Sequence, residues 1–269
     1  EEALKNLKEA EMLSRESNDN VRLTCNLQIQ GMIYNFQGNY QTALPLVNEA
    51  IIAGEKDVPF RTKTYLYLTA FFINSHLGKI KECEKIVDIF KHEITSPDTE
   101  EHFKAQLTYF NCLARYHMLI LQNQYAKVFV EKILNKIISK DEMPFNYAVY
   151  LTNYAAILLA LGELKKAIQV NEEILTLKEF YPLKSYFGYL IQKYWILLYT
   201  NNPVTLIACK KEIEMTVNKL GVKIESLIEY KKVLIFEYLL QGHFDKSLSL
   251  LKDLKPIERW NKPVLLGTL

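Results

Sequence analysis

The sequence predicts an all-α chain built from stacked pairs of helices, and three observations predict it. First, Gly or Asn recurs at a regular interval: Gly38 in GNY, Gly78 in GKI, Asn123 in NQY, Gly162 in GEL, Asn201 in NNP and Gly242 in GHF. These residues tolerate the left-handed backbone that ends a helix, so their recurrence near every 40 residues marks repeated internal turns. Second, apolar residues between the turns follow a helical period, as Ile168, Ile174 and Leu175 do beside Lys165, Lys166 and Glu172. Third, the chain has only nine Gly and eight Pro in 269 residues, and the prolines fall mostly at expected junctions. Pro59, Pro144 and Pro182 lie between units, Pro97 before the fourth, and Pro256 after the last full one. Proline opens a helix or stops one that reaches it.

The elements can then be taken in order. Residues 2–18, EALKNLKEAEMLSRESN, read as the second helix of a pair whose first helix is missing, because Ala3, Leu7 and Ala10 repeat the spacing of Ala43, Val47 and Ala50. Residues 26–56 form the clearest pair, with Gly31, Tyr34, Gly38, Tyr40, Ala43, Val47 and Ala50 where two helices must touch. Pro45 is awkward there, and is accommodated if it sits in or just past the first turn of the second helix. The third pair is expected over 61–77 and 81–91, with Phe71 and Cys83 at the small positions. The fourth, the most degenerate, is expected over 99–122 and 125–139. The fifth, over 146–161 and 164–178, restores Ala155 and Ala167. The sixth spans 183–200 and 204–220, is rich in aromatics and carries Pro203 in its turn; the seventh spans 224–241 and 245–254. Residues 257–269, IERWNKPVLLGTL, open another unit or act as a cap. The expected organisation is one repeat domain over 1–269: an orphan helix at 1–18, repeats over 19–256 with about six full pairs, and a partial unit at the end. A stacked array grows by addition and escapes the usual size limit of a single core.

Bulk composition narrows the function classes. Hydrophobic residues make up 49%, enough for a continuous core, and the net charge is only +2. Lys and Arg are interspersed with acidic residues, as in KIKECEK at 79–85, so no stripe faces several phosphates and direct nucleic-acid binding is not expected. The aromatics interleaved with Lys between Tyr186 and Tyr199 read as helix packing rather than base stacking. The longest apolar run, residues 155–161, is far too short for a membrane span. Cys25, Cys83, Cys112 and Cys209 are widely spaced, as buried thiols of a reducing compartment would be, and a cytoplasmic location is expected. The chain starts at Glu1 without Met, and the orphan helix is expected to continue a longer protein.

Catalytic chemistry leaves no signature. There is no glycine-rich phosphate loop and no nucleophile elbow. His92-Glu93 lacks the second His of a zinc helix, and His76, His92, His102, His117 and His243 show no ligand spacing, so no metal, cofactor or catalytic residue is expected. Glu172-Glu173 and Lys210-Lys211-Glu212 read as solvated faces.

The pattern at Gly31, Tyr34, Gly38, Tyr40, Ala43, Val47 and Ala50 resembles the tetratricopeptide repeat, although the interval near 40 exceeds the roughly 34 residues typical of it. The resemblance implies a right-handed α-α superhelix whose first helices line a concave groove for a peptide or a partner's helix. Laid onto this chain, the groove positions are Gln28, Met32 and Asn35; Tyr65, Phe72 and His76; His117; Thr152, Asn153 and Ala156; Trp195 and Tyr199; and Lys232 and Phe236. Amides there can bind a peptide main chain and aromatics can fill pockets. The Lys and Asn of carboxylate-clamp adaptors are replaced by Cys25, Gln28 and Met32, so capture of an acidic chain terminus is not implied. Degenerate copies and long aromatic helices are similar to the repeat regions of bacterial transcriptional regulators and signalling proteins. The expectation is therefore a protein- or peptide-binding module in such a regulator. A free-standing scaffold or assembly adaptor is the alternative, and an enzyme on a helical scaffold the remote third.

Overall fold

The computed structural model describes residues 2–54, 58–93, 100–137, 144–180, 183–200, 203–221 and 227–254. Pro97, Pro182, Asn201, Pro256 and the segment 257–269 lie outside them. Among the described residues the chain is all-helical, with thirteen α-helices, one short 3-10 turn and no strand. In order these are α1 (Glu2–Glu16), α2 (Asn20–Phe36), α3 (Tyr40–Ala53), α4 (Phe60–His76), α5 (Ile80–Glu93), α6 (Glu100–Leu119), α7 (Asn123–Lys136), α8 (Pro144–Ala160), α9 (Leu164–Thr176), α10 (Leu183–Thr200), α11 (Pro203–Leu220), α12 (Ile228–Leu240) and α13 (Phe244–Asp253). They form two compact units, Glu1–Ile120 and Leu121–Leu269. Within each, sequence neighbours pack together, and the first helices also lie side by side: α2, α4 and α6 in one unit, α8, α10 and α12 in the other.

The turns have one recurring geometry. Gly38, Gly78, Gly162 and Gly242 all adopt positive φ, between 68° and 78°. At each, the following N–H reaches back to the helix it leaves: Asn39 to the Tyr34 carbonyl (2.9 Å), Lys79 to Asn74 (2.9 Å), Glu163 to Leu158 (2.8 Å) and His243 to Tyr238 (2.8 Å). This six-to-one bond satisfies a carbonyl that the helix end would otherwise orphan. Asn39 then caps α3, its side chain accepting from the Thr42 N–H at 3.3 Å.

The fourth turn departs from expectation. Asn123 is the first residue of α7, and the left-handed residue is Leu121, at φ 62°. With Leu121 as the marker, the degenerate fourth copy regains the common register. Five residues after the left-handed position stand Ala43, Cys83, Ala126, Ala167 and Ser247, and twelve after it stand Ala50, Phe90, Ile133, Ile174 and Leu254, all buried. Seven before it stand Gly31, Phe71, Ala114, Ala155 and Ile235, also buried. In the pairs that lie within one unit, α2–α3, α4–α5, α8–α9 and α12–α13, the first and last of these rows face each other. A Cβ on Gly31 would lie 2.4 Å from Val47 Cγ2 and 3.5 Å from the Ala43 carbonyl. Where the facing residue is larger, the small position is polar and bonds across: Cys83 Sγ donates to the Phe71 carbonyl (3.7 Å) and Ser247 Oγ to the Ile235 carbonyl (3.1 Å). In the α10–α11 pair the equivalent bond runs from Cys209 to the Leu190 carbonyl (3.7 Å) over 19 residues rather than 12, so this pair leaves the common register.

Prolines behave as chain punctuation with one exception. Pro59 precedes α4, while Pro144 and Pro203 each open a helix, where a missing N–H costs nothing. Pro45 lies deeper in α3 than expected: the Ala43 N–H already bonds the Asn39 carbonyl (3.1 Å), so Pro45 withholds a donor from Gln41. Both residues are exposed, and water can solvate that carbonyl.

Two outcomes test this packing. Gly31→Ala forces a methyl against β-branched Val47, and should cost about 1–3 kcal/mol of unfolding free energy despite alanine's better helix propensity. The cost should shrink in a Val47→Ala background, measured as a coupling energy in a denaturant double-mutant cycle. Leu121→Gly removes a left-handed penalty of roughly 1–2 kcal/mol and adds about 0.5–1 kcal/mol of chain entropy, so a modest rise in thermal midpoint is expected.

Candidate functional site

The common register also defines a surface on the first helices. Ten residues before the left-handed position stand Gln28, Leu68, Asn111, Thr152 and Lys232; six before it stand Met32, Phe72, Arg115, Ala156 and Phe236. These two rows are one helical turn apart and share a face. In the first unit the adjacent helices α4 and α6 bring two equivalent members, Phe72 and Arg115, together; in the second unit α10, which has no member in these rows, packs on both α8 and α12.

In the first unit the Arg115 guanidinium lies over the Phe72 ring, 4.5 Å from its centroid. His76, one turn after Phe72, stacks on Tyr40 with centroids 4.5 Å apart and planes 9° from parallel. Arg115 is partly exposed, and burial pulls its pKa below the usual guanidinium value while Cys112, Cys83 and Tyr40 act on it from nearby. Arg115 and Tyr40 were not among the sequence candidates. Arg115 was hidden because placing the fourth turn at Asn123 shifts that helix by two positions.

The other candidates of this unit scatter. Gln28 is buried. Asn35 is partly buried, and its side-chain oxygen is enclosed without a hydrogen-bond partner. Tyr65 is exposed near the start of α4, with Arg61 6.0 Å over its ring. His117 lies two residues beyond Arg115 and meets Tyr116 edge-on at 5.6 Å.

In the second unit Trp195 and Tyr199 both pack on Phe236, with centroids 5.0 and 5.8 Å away. Trp195 and Lys232 are buried and Tyr199 is partly buried; Lys232 is one turn before Phe236 on α12. Gln192, which sequence reasoning passed over, donates to the Thr152 carbonyl at 2.7 Å and ties α10 to α8. Thr152 spends its own hydroxyl on the Ala148 carbonyl (2.8 Å), and Asn153, next to it, is partly buried.

Four acidic side chains of the second unit, Glu131, Glu173, Glu212 and Glu237, hold helices together. Tyr147 donates to Glu173 (2.8 Å) and Tyr186 donates to Glu212, each pair separated by 26 residues and the two offset by 39. Tyr154 donates to Glu131 (2.7 Å), and Tyr194 to Glu237 (2.9 Å), which Lys210 also reaches at 3.3 Å. Burial and the neighbouring carboxylate push the Tyr147 phenol up to about 12 and hold Tyr154 and Tyr194 protonated as well. These pairs are struts. Among the described residues no three His, Cys, Asp or Glu side chains gather as metal ligands do. No helix of the described residues is long and apolar enough to cross a membrane.

A shallow depression of about 570 Å³ lies at the α4–α5 turn, lined by Leu44, Asn48, Asn74 and residues 78–82. It shares none of the first-helix rows.

No protein-family model matches the chain, and no curated protein matches it in sequence.

The thiols offer a check on this surface. Burial pushes Cys83 up to about 12 and Cys209 up to about 11, and raises Cys112 as well, while Cys25 is partly exposed. Brief iodoacetamide treatment of the folded protein at pH 8 should therefore modify Cys25 alone, and all four cysteines after denaturation, as read by mass spectrometry.

Proposed function

We propose that this chain is a non-catalytic module that binds a protein or peptide along its first helices, arranged as a right-handed tetratricopeptide-like superhelix. In this reading it is the sensing or partner-binding region of a bacterial regulatory or signalling protein and works in the cytoplasm. The observation that carries the reading is the pair of matched rows. On the first unit's helices the rows read Gln28 and Met32, Leu68 and Phe72, and Asn111 and Arg115, a face that mixes amides with apolar, aromatic and cationic groups. Such a mixture suits a main chain running across the helices, with side chains dropping into the spaces between them.

The spacing fits such a ligand. Packed helices lie about 8–10 Å apart, and an extended chain advances about 3.3 Å per residue, so one helix is crossed roughly every three residues. The three first helices of one unit would then read about six residues of a partner. Glu131, Glu173, Glu212 and Glu237 are bonded to tyrosines as helix-joining struts, a structural use of carboxylates that suits a binding scaffold.

The test is selection from a random peptide display library on the purified chain, followed by calorimetry with synthetic copies of the selected peptides. Saturable binding is expected, weakened about tenfold by Phe72→Ala for peptides held by the first unit and by Tyr199→Ala for those held by the second, with little change in melting temperature. Asn35→Ala with Asn153→Ala should also weaken it. Peptides whose affinity ignores all of these substitutions would place recognition elsewhere.

A further inference from the structure

We propose that the depression at the α4–α5 turn is a binding site for a hydroxylated phosphate monoester, of the sugar-phosphate class. It shares no residue with the first-helix rows, so it stands or falls independently of peptide binding.

Three elements of one unit build it. α3 supplies Leu44 and Asn48, α4 supplies Asn74, and residues 78–82 carry the turn and the start of α5. α4 packs on both α3 and α5, so the walls belong to one packed body. Asn74 is its fixed polar group: it is only 4% exposed and gives an amide hydrogen to the Ala70 carbonyl at 2.9 Å. That bond sets the orientation of the carboxamide and uses only part of its donor and acceptor capacity. Asn48 is exposed, and its side chain makes no hydrogen bond to another described residue.

Charge decides the class of ligand. Lys79 and Lys81 are exposed, and neither forms an ion pair among the described residues, whereas Glu82 is answered by Lys85 at 2.9 Å. The lining therefore offers two uncompensated cations and no uncompensated anion. That balance matches a phosphate monoester, which carries close to two negative charges at neutral pH. A single carboxylate would leave one ammonium unanswered.

Size and polarity decide the rest. A volume of about 570 Å³ falls in the range of small-molecule sites and exceeds what a phosphoryl group alone fills. Beyond the lysines the wall combines two carboxamides with Leu44 and Ile80. Carboxamides both give and take hydrogen bonds, as sugar hydroxyls do, while the apolar side chains suit the C–H surface of the ring. One phosphoryl contact of this kind does not require the row of phosphate-neutralising residues that the mixed charges of 79–85 lack.

The probe is ribose 5-phosphate, titrated into the full chain at low salt while backbone amide resonances are followed by NMR. Ribose and inorganic phosphate serve as the two partial ligands. The expected result is a saturable shift centred on residues 78–82, weakened about tenfold by Lys79→Gln or Lys81→Gln, as loss of a charge-assisted bond would do. Each partial ligand should bind about tenfold more weakly than the whole. Both lysines are exposed, so these variants should keep the melting temperature of the parent chain, measured on the same samples. Asn48→Leu, which removes hydrogen bonding without altering charge, should weaken ribose 5-phosphate about fivefold and leave inorganic phosphate unchanged. No saturable shift, a shift that ignores both lysine substitutions, or equal binding of ribose 5-phosphate and inorganic phosphate would overturn the proposal.

Discussion

The close approach of two helices within a pair is the constraint on which the rest of the structure depends. It requires a small residue five positions after the turn, and Ala43, Cys83, Ala167 and Ser247 meet that requirement. At Gly31 the approach is so tight that even a methyl group has no room beside Val47. Where Phe71 or Ile235 stands opposite, a polar small residue makes a hydrogen bond to the facing carbonyl, and the pair stays joined. The left-handed turn fixes which residues meet, because one position of slip would rotate each face by about 100°. Turn and contact therefore specify each other.

That coupling explains what the sequence revealed and what it concealed. The turns at Gly38, Gly78, Gly162 and Gly242 could be found because glycine advertises a positive φ. Leu121 adopts the same conformation with no such signal, and Asn123, a residue that tolerates it, stood nearby as a decoy. Nothing in the local composition there marks a positive φ. Pro45 shows the same thing on a smaller scale, placed further into α3 than a local reading of the first turn allows.

The candidate site was legible in part. Of the positions the resemblance implied, Phe72 lies under Arg115 and His76 against Tyr40, while Trp195 and Tyr199 both meet Phe236. Spacing says which face of a helix a residue occupies. It does not say how much of that face the next helix covers, and so Trp195 and Lys232 lie buried while Tyr65 is open to solvent. Arg115 escaped because its face is defined by its distance from a turn that glycine did not mark.

The bonds that join helices have a bearing on how the chain comes to be folded. Those within a pair connect residues 12, 19 or 26 apart, and those from one pair to its neighbour include separations of 23, 40 and 43. Few such links demand that distant parts of the polypeptide find one another. A chain of this kind has low contact order, which favours rapid acquisition of structure, and any sufficiently stable pair can act as the nucleus from which order spreads to its neighbours. With its small residues and its capped turn, the α2–α3 pair is the natural place for that process to begin.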